Sequence, residues 1–449
     1  MVKTLLGCVL GLMMSGSVLA SDVLGLAAAY QAALMHDPVY KAAQAKWLAA
    51  QEQLPIARAR LRPQVAISST RLRIDQDRQD GNAAEQNQRY PSSSDTLSLR
   101  QPLFQARAWL DADQAAAMVE AAEAQWQAEQ QAVLVRVVNA YFTLLIEYER
   151  ALVLERQLES ADSKLRGAER AFSAGTGIRT DIDELIAQRD LLLSERLKAS
   201  QARLVAQAEL ASIVGREPAQ LGRLAGLNAS GLSLKDFDPG ALEVWLERVQ
   251  SVSPAMLQAR AQVQALRASA KAAGADRLPT LDLLLQASRS EGENAFFVTS
   301  RTRSQAYGVQ LNVPLFQGGA EFARQRQSAA ALAEGEANQT RARAMAMNNV
   351  RRLYFAVKEG VSRVEALDKA LASALQVVVA NQRSFQAGLR STLDIIAAEQ
   401  RASELVLERE SARLQTISAW VQLRAEVGEP QDAAVQQIAG LLQSVVDKK

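Results

Sequence analysis

The chain has 449 residues, 22% of them charged and 48% hydrophobic, so it is long enough for two or three ordinary domains and too apolar for disorder. Its 51 basic and 49 acidic residues leave a formal charge of +2, which offers little to a phosphate backbone, and no nucleic-acid partner is expected. With a single histidine, His36, and a single cysteine, Cys8, zinc clusters and sites needing two imidazoles are excluded, and no catalytic, cofactor-binding or metal-ligating set is expected.

Residues 1–20 read as a secretory signal peptide: Lys3, an apolar run from Leu5 to Met14, then Val18 and Ala20 at the positions a signal peptidase reads. Leu5-Leu6-Gly7-Cys8 looks like a lipoprotein box but precedes the end of the hydrophobic run, and cleavage after Ala20 removes the only thiol. No later segment holds the roughly 18 apolar residues that a membrane helix needs.

Prolines divide the rest. They stand at 38, 55, 63, 91 and 102, then at 218, 239, 254, 279 and 314, then at 430, leaving 103–217 and 315–429 free of them. Because proline breaks helix interiors, two equal proline-free spans rich in Ala, Leu, Gln and Glu predict two equivalent long-helix regions. The residues repeat accordingly. Pro102-Leu103-Phe104-Gln105 recurs as Pro314-Leu315-Phe316-Gln317, Tyr141-Phe142 as Tyr354-Phe355, and Phe172-Ser173-Ala174-Gly175 as Phe385-Gln386-Ala387-Gly388.

The first repeat, 21–217, is predicted as a helix over 24–60, strands near 63–75 and 93–103, a helix over 104–172, a tip near 173–181 and a descending helix over 178–214. A linker at 218–240 leads to the second, 241–429, with a helix over 241–276, strands near 279–290 and 303–315, a helix over 317–385, a tip near 386–394 and a descending helix over 391–428. Residues 430–449 close the chain. Ala115, Met118, Ala122 and Trp126 are spaced to bury a narrow seam, and the tryptophans at 47, 109, 126, 245 and 420 fall in helices as packing residues or equatorial anchors rather than a membrane girdle.

The strands alternate. Leu281, Leu283 and Leu285 stand against Thr280 and Asp282, and Tyr307, Val309, Leu311 and Val313 against Ala306, Gly308, Gln310 and Asn312. That pattern suits a lipid-facing barrel strand or a half-buried soluble hairpin equally. Four strands cannot close a barrel, so a barrel would have to be shared between chains. Arg71, Arg73, Arg301 and Arg303 lie toward the outer strand ends, as solvated loop charges or as partners of anionic headgroups.

At the tips, Phe-x-x-Gly is followed six residues later by Asp: Phe172, Gly175, Asp181, then Phe385, Gly388, Asp394. Gly frees the chain to turn, Thr180, or Ser391 and Thr392, can accept the first amides of the next helix, and the Asp complements its dipole.

In order, duplication and spacing these residues resemble the TolC family of outer-membrane channels, from Ala29-Tyr30-Gln31 and Asp37-Pro38 through Leu61-x-Pro63, Leu278-Pro279 and Pro314-Leu315-Phe316-Gln317-Gly318-Gly319 to the tips. The resemblance implies a mainly α fold with a small β part: a homotrimer, four strands per chain making a twelve-stranded outer-membrane barrel, continued by a periplasmic α-helical barrel. It implies an equatorial belt from parts of 216–240 and 430–449, and an exit duct for type I protein secretion or efflux. The implied partners are a periplasmic adaptor, an inner-membrane ABC or RND-type transporter and outer-membrane lipid. It further implies aspartates narrowing the periplasmic mouth and an arginine tying neighbouring helices shut. Asp394 and Arg390 hold those positions here, Asp181 is the matching acid of the first tip, and Gly175, Thr180, Gly388 and Thr392 fall where the adaptor docks. Ala397 departs from the family's second acidic position. A periplasmic coiled-coil scaffold without a pore is the rival reading, and it leaves the paired strands unexplained.

Overall fold

A computed structural model describes residues 23–79, 81, 86–226, 237–293, 299–387 and 389–441. The expected signal peptide with Cys8, and the end of the closing segment at 442–449, lie outside the described residues. In chain order the elements are β1 (Val23–Leu24), α1 (Leu26–His36), α2 (Pro38–Gln51), α3 (Gln53–Ala59), β2 (Gln64–Arg78), β3 (Gln86–Gln105), α4 (Ala106–Ser173) and α5 (Arg179–Val214). Then come β4 (Arg223–Leu224), α6 (Leu242–Val252), α7 (Pro254–Gly274), β5 (Thr280–Glu293), β6 (Thr299–Asn312), α8 (Ala320–Gln386), α9 (Thr392–Glu426) and α10 (Gln431–Leu441).

The long helices α4 and α8 hold 68 and 67 residues, about 100 Å each at 1.5 Å per residue. The opening helices differ from expectation. The single helix expected over 24–60 breaks at Asp37, because Pro38 gives its preceding turn no N–H and its ring crowds that turn. The break is capped, the Val39 amide donating to Asp37 Oδ1 at 2.9 Å. The helix expected over 241–276 breaks in the same way before Pro254, at Ser253.

The helices form a layer. One flank of α4 carries α5 with α1, α2 and α3 above it, and the other carries α7 above and α9 below, each packed in turn on α8. A waist cluster holds the layer together: Val133, Val137 and Tyr141 of α4, Val350 and Val357 of α8, Ile417 and Val421 of α9, Leu26 of α1 and Ile438 of α10. Each such side chain contributes about 1.5–3 kcal/mol on burial. Trp126 is buried in the seam under Tyr40 and Trp47, at ring distances of 4.7 and 5.9 Å. Met118 is not in that seam; it is 50% exposed, so the apolar stripe passes beside it. Trp109 also departs from its expected packing role, standing exposed beside Phe104 where β3 passes into α4.

The strands make an antiparallel sheet in the order β2-β3-β5-β6, four strands among the described residues. They run further than expected, through most of the polar segments at 76–92 and 289–302, because backbone pairing continues where hydrophobic alternation has ended. β6 stops at Asn312, short of the expected 315, with Pro314 just beyond it. The outer edges of β2 and β6 have no partner strand among the described residues. At the waist, β1 pairs in parallel with β4, and the Tyr141 hydroxyl lies 2.9 Å from the Leu24 carbonyl and 2.8 Å from that of Ala225.

Candidate functional site

The two helical tips stand at the end of the molecule opposite the sheet. At the first, α4 ends in a Schellman turn: the Thr176 amide donates to the Ala171 carbonyl at 2.9 Å and the Gly175 amide to that of Phe172 at 3.0 Å. Gly175 takes φ 76°, a left-handed conformation that side chains resist. At the second tip the Leu389 amide donates to Ser384 at 2.9 Å, closing the equivalent turn; Gly388 itself lies outside the described residues.

The next helices start differently. Ser391 caps α9, its hydroxyl accepting the Asp394 amide at 3.3 Å while the Ser391 amide donates back to Asp394 Oδ2 at 2.9 Å. These bonds, with Arg390 alongside, hold the Asp394 carboxyl below the usual carboxylate range. At the first tip the cap position falls to Ile178, whose side chain has no hydrogen-bond acceptor to offer. Neither Thr180 nor Thr392 caps; they are the second and first residues inside α5 and α9. Asp181 therefore stands in the first turn of α5 with no hydrogen-bond or ion-pair partner among the described residues. Asp183 beside it pairs with Arg179 at 3.2 Å.

Arg390, in the turn before α9, reaches Asp394 in the first turn of that helix at 3.4 Å, and among the described residues it pairs with no other helix. A tie that the sequence did not reveal lies higher: Lys164 of α4 pairs with Glu399 of α9, to which Ser160 also donates at 3.2 Å. Ile396 adds an apolar contact to the cluster of Leu165, Ile182 and Leu185. These groups are ordinary helix-surface types, and only folding brings α4 against α9. The tips also present apolar side chains to solvent, namely Phe172, Ile178, Phe385, Leu389 and Leu393.

At the other end, the sheet sorts its residues by face. Val65, Ile67, Leu97, Leu99, Leu285, Tyr307, Val309 and Leu311 share one face, and Ser68, Thr96, Ser98, Gln286, Ser288, Ser304 and Gln310 the other. Asp282 is on the polar face, 4% exposed, held by Arg100 at 2.7 Å and Gln105 at 3.1 Å. An apolar outside and a polar inside suit a membrane barrel.

The family model of the outer membrane efflux proteins matches residues 29–216 and 245–429, covering both repeats. The chain belongs to that family. Among relatives of this outer membrane efflux protein are the alkaline protease secretion protein AprF of Pseudomonas aeruginosa, 28% identical over 93% of the chain and 87% of the relative, and the proteases secretion protein PrtF of Dickeya chrysanthemi, 26% identical over 95% and 92%. In fold it matches the CmeC outer membrane channel of Campylobacter jejuni with a TM-score of 0.76, at 15% identity, over 93% of this chain and 90% of that one. Family membership makes the chain a TolC-type exit duct of the outer membrane that reaches into the periplasm, a transporter family rather than an enzyme family. The scaffold reading does not stand, since the family is one of outer-membrane efflux proteins.

Proposed function

We propose that three copies of the chain close into one duct that docks by its tips on a periplasmic adaptor and an inner-membrane transporter and passes secreted protein out of the cell. The observation that carries the assembly is that both layers stop on open edges. The sheet ends on unpaired β2 and β6, and the helical layer ends on faces of α5 and α8 that leave Leu191, Leu197, Leu204, Leu375 and Val379 exposed. Unpaired strand edges and apolar helix faces require cover, and a copy of the same chain supplies both at once. Three copies bring twelve strands, above the minimum of about eight for a closed membrane barrel.

The tips supply the gate in this reading. Around a threefold axis each acid appears three times, so Asp181, ionised Asp394 and Glu184 would concentrate cations and repel anions at the mouth. The Arg390 to Asp394 contact reduces the charge that Asp394 offers, leaving Asp181 the larger share. The likeness to the two protease secretion proteins favours protein cargo and an ABC-type partner over an RND-type one. Native mass spectrometry of the purified protein, paired with assays of secreted protease and of drug susceptibility in a deletion strain, tests the reading. The expected result is a trimer mass and lost secretion. A monomer or dimer in native detergent would overturn the assembly, and lost drug resistance with intact secretion would overturn the cargo.

A further inference from the structure

The apolar face of the sheet changes character part-way along its height. Rows run across the strands in register: Tyr307, Leu285, Leu99 and Val65 form one, and Gln305, Ala287, Leu97 and Ile67 the next toward the hairpin ends. Above them on the same face comes Arg303, Arg289, Asp95 and Ser69, then Arg301, Glu291, Ser93 and Arg71, with Arg73 one row higher opposite Pro91. These two rows set four arginines against two carboxylates.

Both carboxylates are already engaged. Arg71 holds Asp95 through two bonds of 2.8 and 3.0 Å, Ser69 donates to it at 2.7 Å, and Arg301 holds Glu291 at 2.8 Å. Asp95 is also the register partner of Arg289, but its oxygens are bonded to Arg71 and Ser69. Arg289 and Arg303 stand directly opposite one another; Arg289 shares the field of Asp95 without a salt bridge to it, and neither Arg303 nor Arg73 has an ion-pair partner among the described residues. Like charges directly opposite across an antiparallel pair destabilise it. At the same height the other face carries only hydroxyl side chains, Ser68, Thr96, Ser288 and Ser304, then Thr70, Ser94, Ser290 and Thr302. The charge is thus confined to one face, and it lies within strands rather than loops.

We propose that Arg73, Arg289 and Arg303, with Arg71 and Arg301 beside them, form a binding surface for the phosphate groups of lipid headgroups in the outer leaflet. The assignment rests on the duct reading, which turns this face to lipid. The helices leave the opposite end of the sheet into the periplasm, so the hairpin ends face outward and the arginine rows meet the outer headgroups. A phosphate set between Arg289 and Arg303 offsets their repulsion, and guanidinium forks match its oxygens in pairs.

The test reconstitutes the full mature protein in nanodiscs of phosphatidylcholine doped with either lipid A or dephosphorylated lipid A, then counts the glycolipid retained after detergent washing. Wild type is expected to retain the phosphorylated form preferentially, and Arg289→Ser and Arg303→Ser are each expected to lower that retention about fivefold, the effect of one basic residue at an anionic surface. Arg303→Lys keeps the charge but loses the fork, and is expected to fall between. In phosphatidylcholine alone, Arg303→Ser should keep wild-type conductance and lose no heat resistance, which separates a lost lipid site from a failed duct or fold. Equal retention by wild type and both serine variants would overturn the proposal. Equal retention of the phosphorylated and dephosphorylated lipids would do the same, as would competition by inorganic phosphate strong enough to make the surface a simple anion site.

Discussion

Asp394 carries two tasks that reinforce each other. Its carboxylate closes the capping box on Ser391, and the bonds that do so keep it ionised. Its native pKa lies below the unfolded value, so its stabilising contribution is complete above the ordinary carboxylate range and is lost as pH falls through the lowered native value. Removing the Ser391 hydroxyl takes away part of that support. Ser391→Ala is therefore expected to raise the pH at which cation preference fades on acidification, read from reversal potentials in a salt gradient. An unshifted midpoint would remove Asp394 from the selectivity account. Asp181, the equivalent residue of the first tip, lacks such a cap because Ile178 stands where Ser391 does. One substitution between the repeats thus leaves one acid committed and the other open, a difference written plainly in the sequence once the two tips are aligned.

Among elements, the repeats share a device at the waist. Tyr141 of α4 and Tyr354 of α8 hold equivalent positions, and each reaches the linker: Tyr141 the Leu24 and Ala225 carbonyls, Tyr354 that of Gly240 at 2.8 Å. Burial pushes the Tyr141 phenol up, so it stays protonated and able to donate. Tyr141→Phe is expected to lower unfolding stability by about 1–3 kcal/mol, the cost of leaving a buried carbonyl unpaired, measured by denaturant titration with Tyr141→Leu as a packing control. The Tyr-Phe repeat was legible in the sequence, as were the long helices, because proline-free spans and an offset near 213 are purely local signals. The breaks at Asp37 and Ser253 were missed, although Pro38 and Pro254 follow them directly. What stayed hidden was anything set by packing between distant segments: the tie of Lys164 to Glu399, the exposure of Met118, and the strand ends that continue on polar residues. Cross-strand pairing needs no hydrophobic alternation once both faces are wet, and so leaves no periodic trace.

For the whole molecule, one chain is an incomplete wall. Among the described residues its sheet and its helical layer both end on open edges, and its tips offer apolar side chains that no other described residue covers. In the proposed assembly, closure by copies would convert the alternating strands into an outside and a lumen, and would gather the tip acids around an axis. In that assembly the arginine rows above the apolar belt would form a collar at the outer surface. The proposed duct requires a continuous pore whose narrowest point is the periplasmic tip. Single-channel recording in a planar bilayer tests that directly, comparing the mature protein with Arg390→Ala. The account predicts discrete, cation-preferring openings of small conductance in wild type and a larger conductance in the variant, since freeing Asp394 from Arg390 raises the negative charge of the mouth and loosens the tip. A folded trimer in the membrane that stays silent in both forms would contradict the duct, and an identical conductance in both would contradict the gate.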